Sequence, residues 1–120
     1  MGAPVRRVDR ARMMSPGTLV WTDFGARIGR EQGGRRPALV ISTQNHTAVT
    51  ALLLVLPCTT RDRGWINHVA LDCPELLAPT YAMSEQPTTI SVDRVFGEIG
   101  EVSHDSLHEA MSWVRRWIAI

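Results

Sequence analysis

The amino-acid sequence predicts a mainly β fold, a small antiparallel barrel or sandwich of five to seven strands with one C-terminal helix. Short apolar stretches separated by Gly, Pro and polar turns recur through residues 18–102, as is typical of small all-β units. From residue 103 onward the apolar positions change to helical spacing. A chain of 120 residues has room for one hydrophobic core, so we expect a single domain.

The predicted strands are, in order, residues 18–23, 38–42, 51–56, 67–71, 81–84, 88–91 and 95–102. The first alternates apolar and polar side chains, which indicates one buried face. The second and third are continuous apolar runs, which indicates burial on both faces. The fourth alternates and is expected to pair with the third. The fifth and sixth are short strands around a turn, and two glycines in the seventh predict a bend.

The predicted terminal helix follows Ser103, and its apolar positions are Leu107, Ala110, Met111, Val114, Trp117 and Ile118. Ser103 or Ser106 can cap its first turn. Two arginines in its last turn suit the negative end of the helix dipole. Trp21, Trp113 and Trp117 occupy apolar positions and are expected to lie in the core.

Residues 16–120 are expected to form the domain, preceded by a disordered extension over residues 1–15. The start codon could be Met1, Met13 or Met14. The extension lacks the apolar segment of a secretory signal, and no apolar run approaches the length of a membrane span. Cys58 and Cys73 are expected to be reduced thiols in a cytoplasmic protein. No His/Cys cluster has zinc-ligand spacing, so we expect neither a metal nor a cofactor.

The charge distribution is skewed although the formal net charge is only +1. Residues 1–63 contain ten arginines and four acids, whereas residues 64–120 contain three arginines and eight acids. The chain has no lysine, which codon bias can explain, but codon bias does not explain the clustering. A basic half of this kind indicates a surface that faces a polyanion.

Two predicted loops, residues 24–36 and 57–64, concentrate this positive charge. Their arginines are Arg27, Arg30, Arg35, Arg36, Arg61 and Arg63. If the flanking strands pair, both loops emerge at one end of the sheet. Guanidinium groups there can bind phosphates through paired hydrogen bonds. The alternative is a solvated loop rim. Phe24, Trp65 and Tyr81 lie near these loops in sequence and could stack on bases of a single-stranded nucleic acid.

Four segments carry a resemblance to a known family. They read Gly-Thr-Leu-Val-Trp (17–21), Gly-Arg-Glu-Gln-Gly-Gly-Arg-Arg-Pro-Ala-Leu-Val-Ile-Ser (29–42), Leu-Pro-Cys-Thr-Thr-Arg (56–61) and Ser-Glu-Gln-Pro-Thr-Thr-Ile-Ser-Val-Asp-Arg (84–94). In order and spacing they resemble the MazF/PemK (Kid) family of toxin endoribonucleases. The resemblance implies a closed, SH3-like barrel with a C-terminal helix, the architecture shared by CcdB, Kid and MazF. It also implies a homodimer that cuts single-stranded RNA without metal and is inhibited by a cognate antitoxin.

The resemblance assigns roles to individual residues. Arg36 matches the family's catalytic arginine, and Thr59 matches its catalytic threonine, with Thr60 as the alternate if the register slips by one. We assign RNA binding to residues in or near the matching motifs and basic loops: Arg30, Glu31, Gln32, Arg35, Thr60, Arg61, Arg63, Trp65 and Gln86. His46 and His68 lie outside the family's catalytic motifs and receive no catalytic role.

Metal-free RNA cleavage uses the 2′-hydroxyl of the substrate as nucleophile and leaves 2′,3′-cyclic phosphate and 5′-hydroxyl ends. The enzyme must then stabilise charge on phosphorus and move two protons. The sequence leaves open the general base, the cleavage sequence, the RNA class and the antitoxin. Two other functions stay open: a CcdB-like toxin that binds DNA gyrase on the same fold, and a non-catalytic RNA-binding barrel.

Overall fold

The computed structural model describes residues 14–26, 29 and 33–118. Its elements are β1 (Thr18–Asp23), β2 (Arg35–Val40), α1 (Gln44–Thr50), β3 (Leu52–Thr59), β4 (His68–Ala70), β5 (Tyr81–Met83), β6 (Thr88–Ser91), a 3₁₀ turn (Val92–Arg94), β7 (Val95–Glu101) and α2 (His104–Ile118). Most of the predicted disordered extension, residues 1–15, lies outside the described residues. Met14 is described and is buried in the core.

The seven strands form an antiparallel sheet in the order β4-β5-β3-β2-β1-β7, with β6 also paired to β3. Strand β3 organises this arrangement because it is eight residues long and has two partners along one edge. Its first half, from Leu52 to Val55, pairs with β6, and its last two residues pair with β5. Its other edge pairs with β2. The predicted mainly β class with a C-terminal helix is therefore confirmed.

Two details of the predicted topology are wrong. Strands β4 and β7 end the path, and they are not paired with each other in the described part of the chain, so the sheet is not closed into a barrel. Strand β4 pairs with β5 rather than with the segment 51–56. The reason is that β6 occupies that edge of β3, and β5 separates β4 from it.

Helix α1 replaces the turn predicted after the second strand. The Thr43 hydroxyl accepts a hydrogen bond from the backbone N–H of His46 at 3.2 Å, which caps the helix. The helix ends at Ala51, whose φ of 59° lies in the left-handed region. This short helix joins β2 to β3, so the two strands that carry Arg36 and Thr59 run antiparallel as neighbours.

Two hydrophobic clusters hold the fold together. The first lies beneath α2 and joins Ala110 and Val114 of that helix to sheet residues such as Leu39. The second joins residues of β1, β2, β3, β6 and β7 with Met14. Both cysteines are free thiols buried in the first cluster. Within the described residues, neither α1 nor α2 has the length and hydrophobicity that a membrane-spanning helix requires.

The expected core positions of the tryptophans are only partly correct. Trp113 packs against the first cluster, but Trp21 is 41% exposed and Trp117 is 49% exposed. Trp21 stacks on Phe96 of the edge strand β7, with ring centroids 6.3 Å apart. Trp117 lies in the last turn of α2 and donates from Nε1 to the Ser84 hydroxyl at 3.2 Å.

Candidate active site

The strand register brings Arg36 and Thr59 together. Ala38 lies opposite Pro57 in the β2–β3 pair, and the same register continued by two residues places Arg36 opposite Thr59. Residues directly opposite each other in an antiparallel pair project to the same face of the sheet. Further pairings place a threonine opposite Arg36 and a tyrosine opposite Thr59. The resulting row across four strands is Thr22, Arg36, Thr59 and Tyr81.

Backbone carbonyls hold the Arg36 side chain. Its Nε donates to the Gly33 oxygen at 3.1 Å, and its Nη1 donates to the Cys58 oxygen at 3.1 Å. These bonds orient the guanidinium without neutralising its charge, since carbonyl groups carry no net charge. A guanidinium has five N–H donors. Three are thus left to bind an anion, counting only partners in the part of the chain that the structure describes.

The electrostatic environment of Arg36 suits an anion as well. Partial burial lowers the pKa of Arg36 below its usual value, the Cys58 side chain acts in the opposite direction, and the charge of Arg63 lowers the pKa further. A lowered pKa means that the protein compensates the cation less well than water does. A phosphate placed at Arg36 would supply the missing compensation.

The Thr59 hydroxyl is oriented to act as a donor. Thr59 is half-buried at the end of β3, and its Oγ1 accepts a hydrogen bond from the backbone N–H of Arg61 at 3.1 Å. A hydroxyl has one proton to donate in addition to its acceptor sites. Because the bond to Arg61 uses an acceptor site, the hydroxyl proton is available for a phosphate oxygen or a ribose hydroxyl.

The second basic loop turns towards the same place. Asp62 accepts a hydrogen bond from the N–H of Gly64 at 2.9 Å. Gly64 has a φ of 73°, in the left-handed region that residues other than glycine rarely adopt. The turn leaves Arg63 close enough to lower the pKa of Arg36. The Arg63 guanidinium also lies 5.7 Å from the ring centroid of Trp65. Trp65 is 50% exposed, so a ring capable of stacking lies beside the arginines.

Arg35 is separated from Arg36 by the alternation of the strand. Its Nε lies 3.7 Å from Asp23 Oδ2, and its guanidinium lies 5.1 Å from the ring centroid of Phe96. Arg35 therefore belongs with the aromatic pair at the β1–β7 edge. Phe24, expected to stack on bases, instead packs against the second hydrophobic cluster.

Thr60 also faces away from Thr59. It lines an apolar groove of about 400 Å³ that runs along the opposite side of β2. The other lining residues are Trp21, Pro37, Glu75, Leu76, Leu77, Ala78, Thr80 and Ile99. RNA-binding roles were predicted for Arg30, Glu31 and Gln32, and these residues lie outside the described part of the chain, as does Arg27.

The structure also reveals a polar cluster that the sequence did not single out. Glu85 accepts hydrogen bonds from Asn67 Nδ2 at 2.7 Å and from Gln86 Nε2 at 3.3 Å, and its Oε2 lies 3.1 Å from His68 Nε2. Glu85 and Gln86 lie in the matching segment 84–94, and Gln86 is one of the predicted RNA-binding residues. No sequence signal linked that segment to Asn67 and His68. Among the described residues, no group of three or more His, Cys, Asp or Glu side chains could hold a metal ion.

Residues 15–118 match a sequence family described as the PemK-like, MazF-like toxin of type II toxin–antitoxin systems. The chain belongs to this toxin family. The resemblance found in the four sequence segments is thereby confirmed over nearly the whole chain. Among curated relatives, the endoribonuclease toxin MazF of Escherichia coli K12 is 41% identical over 59 residues, which are 49% of this chain and 53% of the relative. The match thus spans about half the length of that relative.

Solved structures of the family share the fold of this toxin. MazF from Deinococcus radiodurans superposes with a TM-score of 0.81 at 29% identity, covering 88% of this chain and 96% of that one. A MazE–MazF crystal structure from the same organism superposes with a TM-score of 0.73 at 29% identity, covering 88% and 95% of the two chains. The seven-stranded sheet and the C-terminal helix of this chain therefore match the fold of these MazF structures.

Proposed function

We propose that this PemK/MazF-like toxin is a sequence-specific, metal-independent endoribonuclease that cleaves single-stranded RNA in the cytoplasm. The observation that carries the proposal is the Arg36–Thr59 pair. An incompletely compensated guanidinium lies opposite a hydroxyl with a proton to donate, and both belong to segments that match the family. The E. coli relative is named as an endoribonuclease toxin, which supports the same activity.

In the proposed reaction the ribose 2′-hydroxyl attacks the adjacent phosphorus, and the bond to the 5′-oxygen of the next nucleotide breaks. Arg36 binds the phosphate through its remaining N–H donors and stabilises the charge that develops on the oxygens. Thr59 donates a hydrogen bond to one of those oxygens or orients the 2′-hydroxyl. The upstream product carries a 2′,3′-cyclic phosphate and the downstream product a 5′-hydroxyl.

The proposed RNA path extends from this pair over the neighbouring loop. Arg61 and Arg63 bind flanking phosphates, Trp65 stacks on a base, and Gln86 contacts a base edge. Arg35 and Thr60 face the other side of β2, and we place them at the rim of the path. Arg30, Glu31 and Gln32 complete the proposed RNA-binding set from the loop between β1 and β2.

We further propose a homodimer and an inhibitory antitoxin. The exposed rings of Trp21 and Phe96 beside the edge strand β7 form an apolar surface that association of two copies would bury. An antitoxin with an acidic, disordered segment would block RNA by occupying the arginine-rich face. The crystallised MazE–MazF complex of the Deinococcus relative supports such a partner.

Replacement of Arg36 by Ala tests the function directly. Loss of a group that stabilises transition-state charge lowers turnover by about 100- to 1,000-fold. We expect a decrease of this size in the rate of cleavage of a mixed single-stranded RNA pool. The Arg36→Lys variant should recover only part of the rate, because an ammonium group lacks the planar fork of a guanidinium.

Arg115→Ala is the matched control, since Arg115 is an exposed arginine near the end of α2 and loses the same charge. Circular dichroism and thermal unfolding confirm that each variant is folded. Cleavage by folded Arg36→Ala at the rate of the Arg115→Ala control would refute the assignment of Arg36.

A further inference from the structure

The Glu85 carboxylate joins two segments that are distant in sequence. One segment leads into β4 and contains Asn67 and His68, and the other is the turn between β5 and β6, which contains Gln86. Oε1 of Glu85 accepts from Asn67 at 2.7 Å. Oε2 lies 3.1 Å from His68 Nε2 and 3.3 Å from Gln86 Nε2. A carboxylate can accept all three bonds because its two oxygens offer about four lone-pair sites.

Each joined segment carries a residue proposed to contact a base. Trp65 begins the turn into β4, where its carbonyl accepts the N–H of His68 at 3.1 Å. The Trp65 ring packs on the His68 ring, with centroids 4.7 Å apart and planes inclined by 49°. Gln86 follows Glu85 directly and bonds to it. The position of both side chains thus depends on the same carboxylate.

His68 contacts both Glu85 and Trp65 from the interior of the protein and is not exposed at the surface. Its side chain is 2% exposed, whereas that of Glu85 is 26% exposed. The other ring nitrogen, Nδ1, is buried and has no hydrogen-bond partner among the described residues. His68 therefore acts through its neighbours, Glu85 and Trp65, rather than on the substrate.

We propose that Glu85, supported by His68, is a positioning residue that holds Trp65 and Gln86 in the arrangement that binds a nucleobase of the RNA. This inference rests on the proposed ribonuclease function. An exposed ring that is already held in place loses less conformational freedom when a base stacks on it. The cluster thus contributes to substrate affinity, whereas Arg36 and Thr59 contribute to turnover.

The Glu85→Gln variant tests the proposal because loss of the negative charge and loss of positioning change KM in opposite directions. An amide has one carbonyl oxygen where the carboxylate has two, so it cannot accept from all three donors. We expect KM to rise about tenfold while kcat stays within about twofold of the wild type. Removal of an acid near the RNA would by charge alone strengthen binding and lower KM.

Glu109→Gln is the matched control, since Glu109 is an exposed acid on α2. KM and kcat are measured for the shortest oligoribonucleotide that the wild type cleaves. A KM for Glu85→Gln that equals or falls below that of Glu109→Gln would overturn the inference. If the wild type cleaves no RNA in the pool, the proposed function fails, and the role of Glu85 in RNA binding fails with it.

A second readout needs no RNA and separates these cases. The indole N–H signal of Trp65, assigned in an NMR spectrum by its loss in Trp65→Phe, should shift in Glu85→Gln and stay in place in Glu109→Gln. The Trp21 signal should not move in either variant, which shows that the fold is retained. An unmoved Trp65 signal in Glu85→Gln would contradict the positioning role whether or not the protein cleaves RNA.

Discussion

The Arg36 side chain is oriented by two partners that do not neutralise its charge. Two carbonyl oxygens, from Gly33 and Cys58, fix the plane of the guanidinium at 3.1 Å each. A carboxylate at the same place would fix it as well, but it would compete for the positive charge with the phosphate that we propose to bind there. Partial burial and then the charge of Arg63 lower the pKa of Arg36, so the guanidinium gains from an added anion.

Thr59 supplies a hydroxyl rather than a charge, and its replacement by Val keeps the shape of the side chain while removing the donor. We expect Thr59→Val to lower kcat by about 10- to 100-fold, as expected for loss of one hydrogen bond to a charged group worth about 1.5–3 kcal/mol. Thr59→Ser should retain most of the activity, because it keeps the hydroxyl.

The control for Thr59→Val is Thr89→Val, a threonine exposed on β6, which should cleave RNA like the wild type. Initial rates at saturating RNA provide the comparison. Equal activity of Thr59→Val and Thr59→Ser would show that the hydroxyl has no part in turnover.

Strand β3 shows which part of the fold could be predicted from the sequence. Its apolar run from Leu52 to Leu56 indicates a buried strand, and the structure confirms it. The strand continues through Pro57 to Thr59 because β2 and β5 pair with that end. Such pairing depends on residues far away in sequence, so local composition predicted a loop there. The same limit explains why the partner of β4 was predicted incorrectly.

The sequence likewise predicted only part of the candidate site. The matching motifs predict Arg36 and Thr59 as site residues, and the β2–β3 register, continued by two residues from Ala38 and Pro57, places them opposite each other. Arg35 and Thr60, each adjacent to one of them, project to the other face because side chains alternate along a strand. The sequence predicts loops at both positions. Because side chains alternate between faces only in strands, the sequence could not show that these two residues point away from the site. No role was predicted for Glu85 from the sequence, because Asn67 and His68 become its neighbours only when β4 and β5 pair.

The start of α2 is the point where the terminal helix is fixed to the sheet. The Ser103 hydroxyl accepts from the N–H of Ser106 at 3.1 Å, which confirms Ser103 as the cap. The Ser106 hydroxyl accepts in turn from the N–H of Asp72 at 2.9 Å. The backbone N–H of Ser103 donates to the Asp72 oxygen at 2.8 Å. The cap therefore joins the helix to the segment after β4.

Loss of this cap should destabilise the protein measurably. We expect Ser103→Ala to lower the free energy of unfolding by about 0.5–2 kcal/mol, measured by urea denaturation. Ser112→Ala, within the same helix, is the control and should be neutral or stabilising, because alanine has the higher helix propensity. Unchanged stability of Ser103→Ala would show that the hydroxyl does not act as a cap.

The charge skew of the chain gains a partial structural explanation. Arg36, Arg61 and Arg63 gather at the end of the sheet where β2 begins and β3 ends. Acids of the other half lie on the edge strand β7, where partial burial and the neighbouring Glu101 raise the pKa of Glu98. Arg35 and Arg94 line a separate pocket beside Phe96. The positive charge is thus divided between the end of the sheet that we propose to bind RNA and the β1–β7 edge.

The end groups of cleaved RNA test the proposed function most directly. A defined single-stranded RNA is incubated with the purified protein in excess EDTA, with Arg36→Ala as the control for contaminating nuclease. We predict fragments that carry 2′,3′-cyclic phosphate and 5′-hydroxyl ends, formed by the wild type and not by the variant. Intact RNA, cleavage only after addition of a divalent metal, or fragments with 5′-phosphate ends would contradict the proposed mechanism.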